Sequence, residues 1–216
     1  GISYPGFYTV MGAIDAHPAL AAASPQAPVS DWFMGDDWHH NGAFLLQHAF
    51  RFLANFGEPR TAPSTKAAPD FDFGSADGYR FYLRMGGMPE ANAKYFKSGI
   101  PFWNEMMEQE SYNAFWKARN VNPHLNALRV PMLTAGGWFD AENLYGALEV
   151  YRSAEKLSPG AWNKLVMGPW YHGQWSRDDG ESLGDVAFGQ KTSLYYRTEI
   201  EFPFFMHFLK GAADPE

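Results

Sequence analysis

The chain has 216 residues, with 17 Lys and Arg against 24 Asp and Glu, for a formal net charge of −7. That balance opposes a phosphate-backbone partner, so no nucleic acid is expected. At 46% hydrophobic and 19% charged the chain reads as globular, and with no cysteine it has no disulfide, zinc–thiolate site or Cys nucleophile. No apolar run approaches the roughly 20 residues of a membrane-spanning helix, and no membrane partner is expected. The 18 Phe, 11 Tyr and 8 Trp imply a bulky core or an aromatic-lined cavity, and composition does not choose between them.

The chain opens on Gly1-Ile2-Ser3-Tyr4-Pro5-Gly6. A Ser between close glycines, ahead of an apolar segment at 4–14, predicts a strand end, a sharp turn and a helix start. That is the setting of a nucleophile elbow, which lifts a hydroxyl clear of a sheet and aims the next amide, that of Tyr4, at a developing oxyanion. The usual Gly two places after Ser is replaced by Pro5, with Gly6 one later. Gly1 is not an initiator Met and a strand should precede the elbow, so the chain reads as part of a longer protein.

Residues 19–25 predict a short buried strand ending at Ser24-Pro25. The stretch 29–40 is a loop dense in acids and aromatics. Asn41 is expected to cap a helix through Phe56, with Phe44, Leu45, His48, Phe52 and Phe56 at helical spacing. Residues 57–75, rich in Pro, Ala, Ser and Thr, predict a loop. Helical patterns over 76–118 are broken by Gly86-Gly87, Pro89, Gly99 and Pro101. Residues 41–125 are therefore expected to form a helical cap inserted between residues 1–40 and 126–216 of one α/β domain. Strands follow at 129–137 and 164–168, separated by a loop at 138–143 and a helix through Leu157. The loop 169–173 leaves the second strand, and an amphipathic segment partly interrupted by Pro203 spans 192–210. Strands alternating with helices predict a parallel α/β sheet.

In open parallel sheets, function sits in loops at the carboxyl ends of strands. Three such loops carry Ser3, Asp140 and His172. A Ser hydroxyl needs a base, neutral His serves near pH 7, and a carboxylate fixes its tautomer. The order Ser, Asp, His is that of α/β-hydrolases. Each residue also has a plain reading: Asp140 as a helix cap, His172 as a loop residue. His39-His40 beside two acids suggests a metal, but adjacent histidines rarely converge on one ion, so a solvated loop is expected and no metal or other cofactor. Asp178-Asp179-Gly180-Glu181 matches a calcium loop only in part. The aromatics Phe96, Phe102, Trp103, Tyr112, Phe115 and Trp116 are expected mainly in the core.

Four segments, residues 1–7, 35–38, 136–142 and 167–172, together resemble the α-amino-acid ester hydrolases. These belong with cocaine esterase, glutaryl cephalosporin acylase and X-Pro dipeptidyl peptidase. The resemblance implies an α/β-hydrolase fold with a helical cap. It implies Ser3 as nucleophile, His172 as base, Asp140 as its orienter and the Tyr4 amide as half of an oxyanion hole. The other oxyanion donor of that family lies upstream of the elbow. The substrate implied is a small ester or amide of an α-amino acid, with acyl transfer to an amine such as a β-lactam nucleus also within reach. Related acylases, esterases and X-Pro dipeptidyl peptidases without α-amino preference are the alternative. The family holds the substrate ammonium among three carboxylates, and the matching positions are Asp37, Glu142 and Asn143, the last a departure because an amide brings no charge. A bacterial periplasmic or secreted setting, and a homo-oligomer of the full-length protein, are further expectations of the resemblance.

Overall fold

A computed structural model describes residues 1–63, 65 and 70–214. Part of the loop expected at 57–75 and the last two positions of 126–216 lie outside the described residues.

In chain order the elements are α1 (Tyr4–Ala13), β1 (His39–His40), β2 (Ala43–Phe44), α2 (Leu46–Phe56), α3 (Gly78–Met85) and α4 (Pro89–Ala91). A π-helical turn at Asn92–Phe96 continues α4, and α5 (Pro101–Met107), α6 (Ala114–Lys117), β3 (Met132–Gly137) and α7 (Leu144–Leu157) follow. The chain ends with β4 (Asn163–Gly168), α8 (Gln174–Arg177), β5 (Ser182–Leu183), β6 (Val186–Ala187), α9 (Thr192–Tyr195), a π-helical turn at Tyr196–Glu201 and α10 (Phe202–Lys210).

Four parallel segments make the central layer. β3 and β4 pair in register from Met132↔Asn163 to Gly137↔Gly168. Residues 23–27 run beside β3 through Leu133 N–H to Ala23 O (3.0 Å), Ala135 N–H to Pro25 O (3.1 Å) and Ala27 N–H to Ala135 O (2.7 Å). Gly1–Ser3 in turn flanks residue 26, through Gln26 N–H to Gly1 O and Ser3 N–H to Gln26 O, both 2.9 Å. The strands expected at 129–137 and 164–168 are present as β3 and β4, whereas of the strand expected at 19–25 only residues from 23 on pair with β3, residues 19–21 being exposed turn and coil. Every residue of β3 is buried, as a parallel strand covered on both faces must be.

One face packs Met132 against Val10 and Ala13 of α1 and Val150 and Ala154 of α7. The other packs Ala135 against Trp170, Trp175 and Tyr196. Above the carboxyl ends of the strands lies an aromatic cluster. It joins Trp32, Phe33 and Trp38 to Phe50, Phe81, Phe96, Trp103 and Trp116. Composition had offered a bulky core or an aromatic cavity, and the chain builds both.

Two local expectations need correction. Asn41 does not cap a helix. It forms, with Gly42, the tight turn of a small hairpin, both residues at positive φ (49° and 81°), pairing His39 with Phe44. Asn-Gly is the preferred sequence for such a turn because both residues tolerate the left-handed region. The helix therefore starts at Leu46, and its core face is Ala49, Phe50 and Leu53 rather than the expected stripe of 45, 48, 52 and 56. The interruption expected near Pro203 is a π-helical turn over Tyr196–Glu201 rather than a break. Pro203 has no N–H to give the preceding turn, and the wider turn accommodates it.

Candidate active site

Ser3 ends the first parallel segment with φ 65° and ψ −124°, a conformation L-residues rarely adopt. Only a sharp turn needs it, and Pro5, inside the first helical turn, does not prevent it because an N–H there has no intrahelical partner. Gly6 supplies the close packing the turn requires. A Cβ on it would stand 2.5 Å from Gln26 O. The Tyr4 amide is in the first turn of α1, where N–H groups are unpaired and point past the helix end.

Asp140 follows β3. Its Oδ1 accepts from the amides of Glu142 (2.8 Å) and Asn143 (2.9 Å), and its Oδ2 stands 2.9 Å from His172 Nδ1. The helix-cap reading needs correction: α7 starts at Leu144 with Asn143 at its cap position, and Asp140 Oδ1 instead holds the turn before the helix, while Oδ2 faces His172. The Asp140 side chain is fully buried. His172 follows β4, and the two loops are held together because Phe139 N–H donates to Trp170 O at 3.0 Å. Gly137 lets them meet: a Cβ there would fall 2.2 Å from Trp170 O. Beneath His172, Gly173 lies over Ile2, the neighbour of Ser3, with 3.6 Å between an added Cβ and Ile2 Cγ2. Ser3, Asp140 and His172 therefore share one end of the sheet. Among the described residues no hydrogen bond engages the Ser3 hydroxyl.

His172 Nε2 is 3.5 Å from Glu142 Oε2. Burial opposes the imidazolium, but the hydrogen bond and charge of Asp140, with Glu142 and Asp37 behind it, hold the His172 pKa above its ordinary value.

Asp37 leaves the loop after residues 23–27, at φ 52°. Burial first, then Asp36 and Glu142, push its carboxyl up to about 7, against a hydrogen bond from Asn143. Asn143 corrects an expectation. Its side chain does not open on a cavity as a third cation ligand. It is wholly buried and donates Nδ2 to Asp37 Oδ1 at 3.0 Å. An amide can do this where an ionised carboxylate has no proton to give. Asp36, also wholly buried, is structural. It accepts from Ser30 N–H, Ser30 Oγ, Asp31 N–H and Gly146 N–H at 2.8–3.1 Å, tying the loop to α7.

Two cavities are bordered by these loops and α2. One of about 500 Å³ is lined by Asp37, Glu142, His48 and Arg51. The other, about 530 Å³, is lined by Tyr4, Phe7, Trp32, Trp38, Phe52, Phe102 and Arg119. His48, which reading by periodicity put on an apolar stripe, has Nε2 4.0 Å from Asp37 Oδ1. Helical spacing was the only sequence signal at His48, and it pointed to the core. His39 is not in a solvated loop. It is buried against Phe33 and Trp116, with Nδ1 3.1 Å from Trp32 O, while His40 is exposed. The acids at 178–181 serve the fold. Asp178 Oδ1 accepts from Gly180 N–H, and Asp179 pairs with Lys191 at 3.1 Å.

A family model, that of X-Pro dipeptidyl-peptidase (S15 family), matches residues 1–174. No curated protein matches the chain. Among solved structures it is similar to an aminopeptidase from the marine sediment archaeon Thaumarchaeota archaeon. That match has 37% identity, a TM-score of 0.89, and covers 99% of this chain and 34% of the other. A selenomethionine-labelled α-amino acid ester hydrolase follows at 31% identity and TM-score 0.87, covering 99% and 34%. Acylaminoacyl peptidase of Pyrococcus horikoshii, at 13% identity, TM-score 0.52 and 97% and 23% coverage, shares the fold alone. The chain thus spans about a third of the length of the first two and about a quarter of the third, and the sheet with its crossover helices is part of an α/β-hydrolase fold. With 174 of its residues matched by that model, the chain belongs to the X-Pro dipeptidyl-peptidase family S15.

Proposed function

We propose that this chain carries the reactive centre of a serine hydrolase that cleaves esters or amides of α-amino acids through an acyl-enzyme. The observation that carries the reading is the Asp140–His172 pair at 2.9 Å, at the same end of the sheet as a Ser held at φ 65°. In this reading His172 Nε2 takes the Ser3 proton as Oγ attacks the carbonyl carbon, and later returns it to the leaving group. Asp140 holds the tautomer in which Nδ1 keeps its proton. The Tyr4 amide stabilises the oxyanion. The imidazole turns a little from Glu142 toward Ser3 as substrate enters, since such hydrogen bonds tighten only in the complex.

The substrate ammonium fits between Asp37 and Glu142, which line one cavity and have no Lys or Arg ion pair among the described residues. Each charge-assisted hydrogen bond contributes roughly 1.5–3 kcal/mol. The aromatic cavity beginning at Tyr4 suits a large apolar side chain on the acyl group. Residues 41–125 serve as its cap. Acyl transfer to an amine is a variant of the same second step.

The test uses the full-length protein with phenylglycine methyl ester and phenylacetic methyl ester, which differ by the amino group. A preference for the amino ester, lost in Asp37→Ala, supports the ammonium site. A fluorophosphonate label on Ser3, absent in Ser3→Ala, supports the nucleophile. Equal rates on both esters would move the protein to the esterases or acylases, and a label that persists in Ser3→Ala would refute the mechanism.

A further inference from the structure

Asp37, His48 and Glu142 come from three separate places in the chain. One follows the strand segment at 23–27, one is on α2 and one precedes α7. Each offers a ligand atom, and the three atoms lie within 4.8 Å of one another. Two are carboxylate oxygens and the third is an imidazole nitrogen, and together they border one cavity of about 500 Å³. Asp37 Oδ1 accepts from Asn143 Nδ2 at 3.0 Å, which holds the carboxylate in place where it borders the cavity. His172 Nε2 is a second nitrogen at the edge of the group, 3.5 Å from Glu142 Oε2.

The geometry points to a binding site for a divalent transition-metal ion, zinc being the best fit, held by Asp37, His48 and Glu142 and competing with the substrate for the cavity. Zinc takes carboxylate oxygen and imidazole nitrogen at about 2.0–2.2 Å, so its ligands stand roughly 3.3–3.6 Å apart around a tetrahedral ion. The 4.0 Å between His48 Nε2 and Asp37 Oδ1 closes to that with a small rotation of His48. Glu142 is the adjustable partner, on a half-exposed side chain. One nitrogen and two oxygens favour zinc or another imidazole-binding metal over calcium or magnesium, which prefer oxygen alone. An ion there fills the space assigned above to the α-ammonium and takes Glu142 from the vicinity of His172. The competition rests on that functional reading, and the binding does not.

The experiment is calorimetric titration of zinc chloride into chelator-stripped full-length protein, wild type against His48→Gln, with the exposed His40→Gln as a control. The expected result is one saturable zinc per chain, weakened about tenfold or more in His48→Gln and unchanged in His40→Gln, since losing one of three protein ligands weakens a site at least that much. Zinc should also inhibit hydrolysis competitively against an amino ester, and a chelator should restore the rate. Equal binding by wild type and His48→Gln overturns the site, as does the lack of saturable binding. If His48→Gln does not fold, Glu142→Gln takes its place, with cobalt absorption of the wild type reporting nitrogen ligation. Binding that depends on His48 but does not compete with the amino ester overturns the inhibition. Zinc binding in a protein with no amino-ester preference would leave the metal site standing and refute the ammonium reading instead.

Discussion

Replacing Glu142 by Gln removes a negative charge 3.5 Å from His172 Nε2 while keeping the size of the side chain. The Glu142 side chain is 36% exposed, so a water-like dielectric is the proper one. At that distance two unit charges then interact by about 1.2 kcal/mol. Glu142 is among the groups that raise the His172 pKa, so its loss must lower it. The base works neutral, and the acid limb of kcat/KM against pH reports its ionisation in the free enzyme. The limb should therefore move to lower pH. On the limb, kcat/KM should rise about five- to tenfold, with the alkaline plateau unchanged. The assay must use an ester without an amino group, such as phenylacetic methyl ester, so that lost ammonium binding does not enter. It must also contain a chelator, so that bound metal does not. A limb that stays in place, or moves to higher pH, would refute the electrostatic link between Glu142 and His172.

The remaining predictions concern the other groups of the site. Asp140→Asn should lower kcat by about four orders of magnitude with the fold intact, because the amide no longer holds the required tautomer; a loss below about tenfold would remove Asp140 from the mechanism. Asp36→Ala should destabilise the protein by about 3–5 kcal/mol in urea unfolding, since it strands buried amide donors of Ser30, Asp31 and Gly146; a change under about 1 kcal/mol would contradict that network. The preference for amino over non-amino esters should weaken as pH falls through about 7, where Asp37 takes up a proton and loses its charge. A preference flat across that range would show that Asp37 does not hold the cation.

Much of this protein was legible before folding. Strand ends can be read locally: apolar runs such as 129–137 and 164–168 stop at glycines, and the loops that follow carry Asp140 and His172. Their chain order, with the Gly-Ser turn at the start, carried the α/β-hydrolase resemblance. What sequence could not decide depended on neighbours distant in the chain. The Asn41-Gly42 hairpin competes with a helix cap at the same residue, and the pairing of His39 with Phe44 settles it. His48 sits on a helix whose inward face is set by what packs on Phe50 and Leu53, so periodicity alone rotated it toward the core. Asn143 looked like a weakened cation ligand, yet its burial behind Asp37 makes it a support. The sequence by itself determined which chemical groups stand at the strand ends. Only the tertiary structure decided which of them face each other, because hydrogen bonds and charges act over a few ångströms of space, not along the chain.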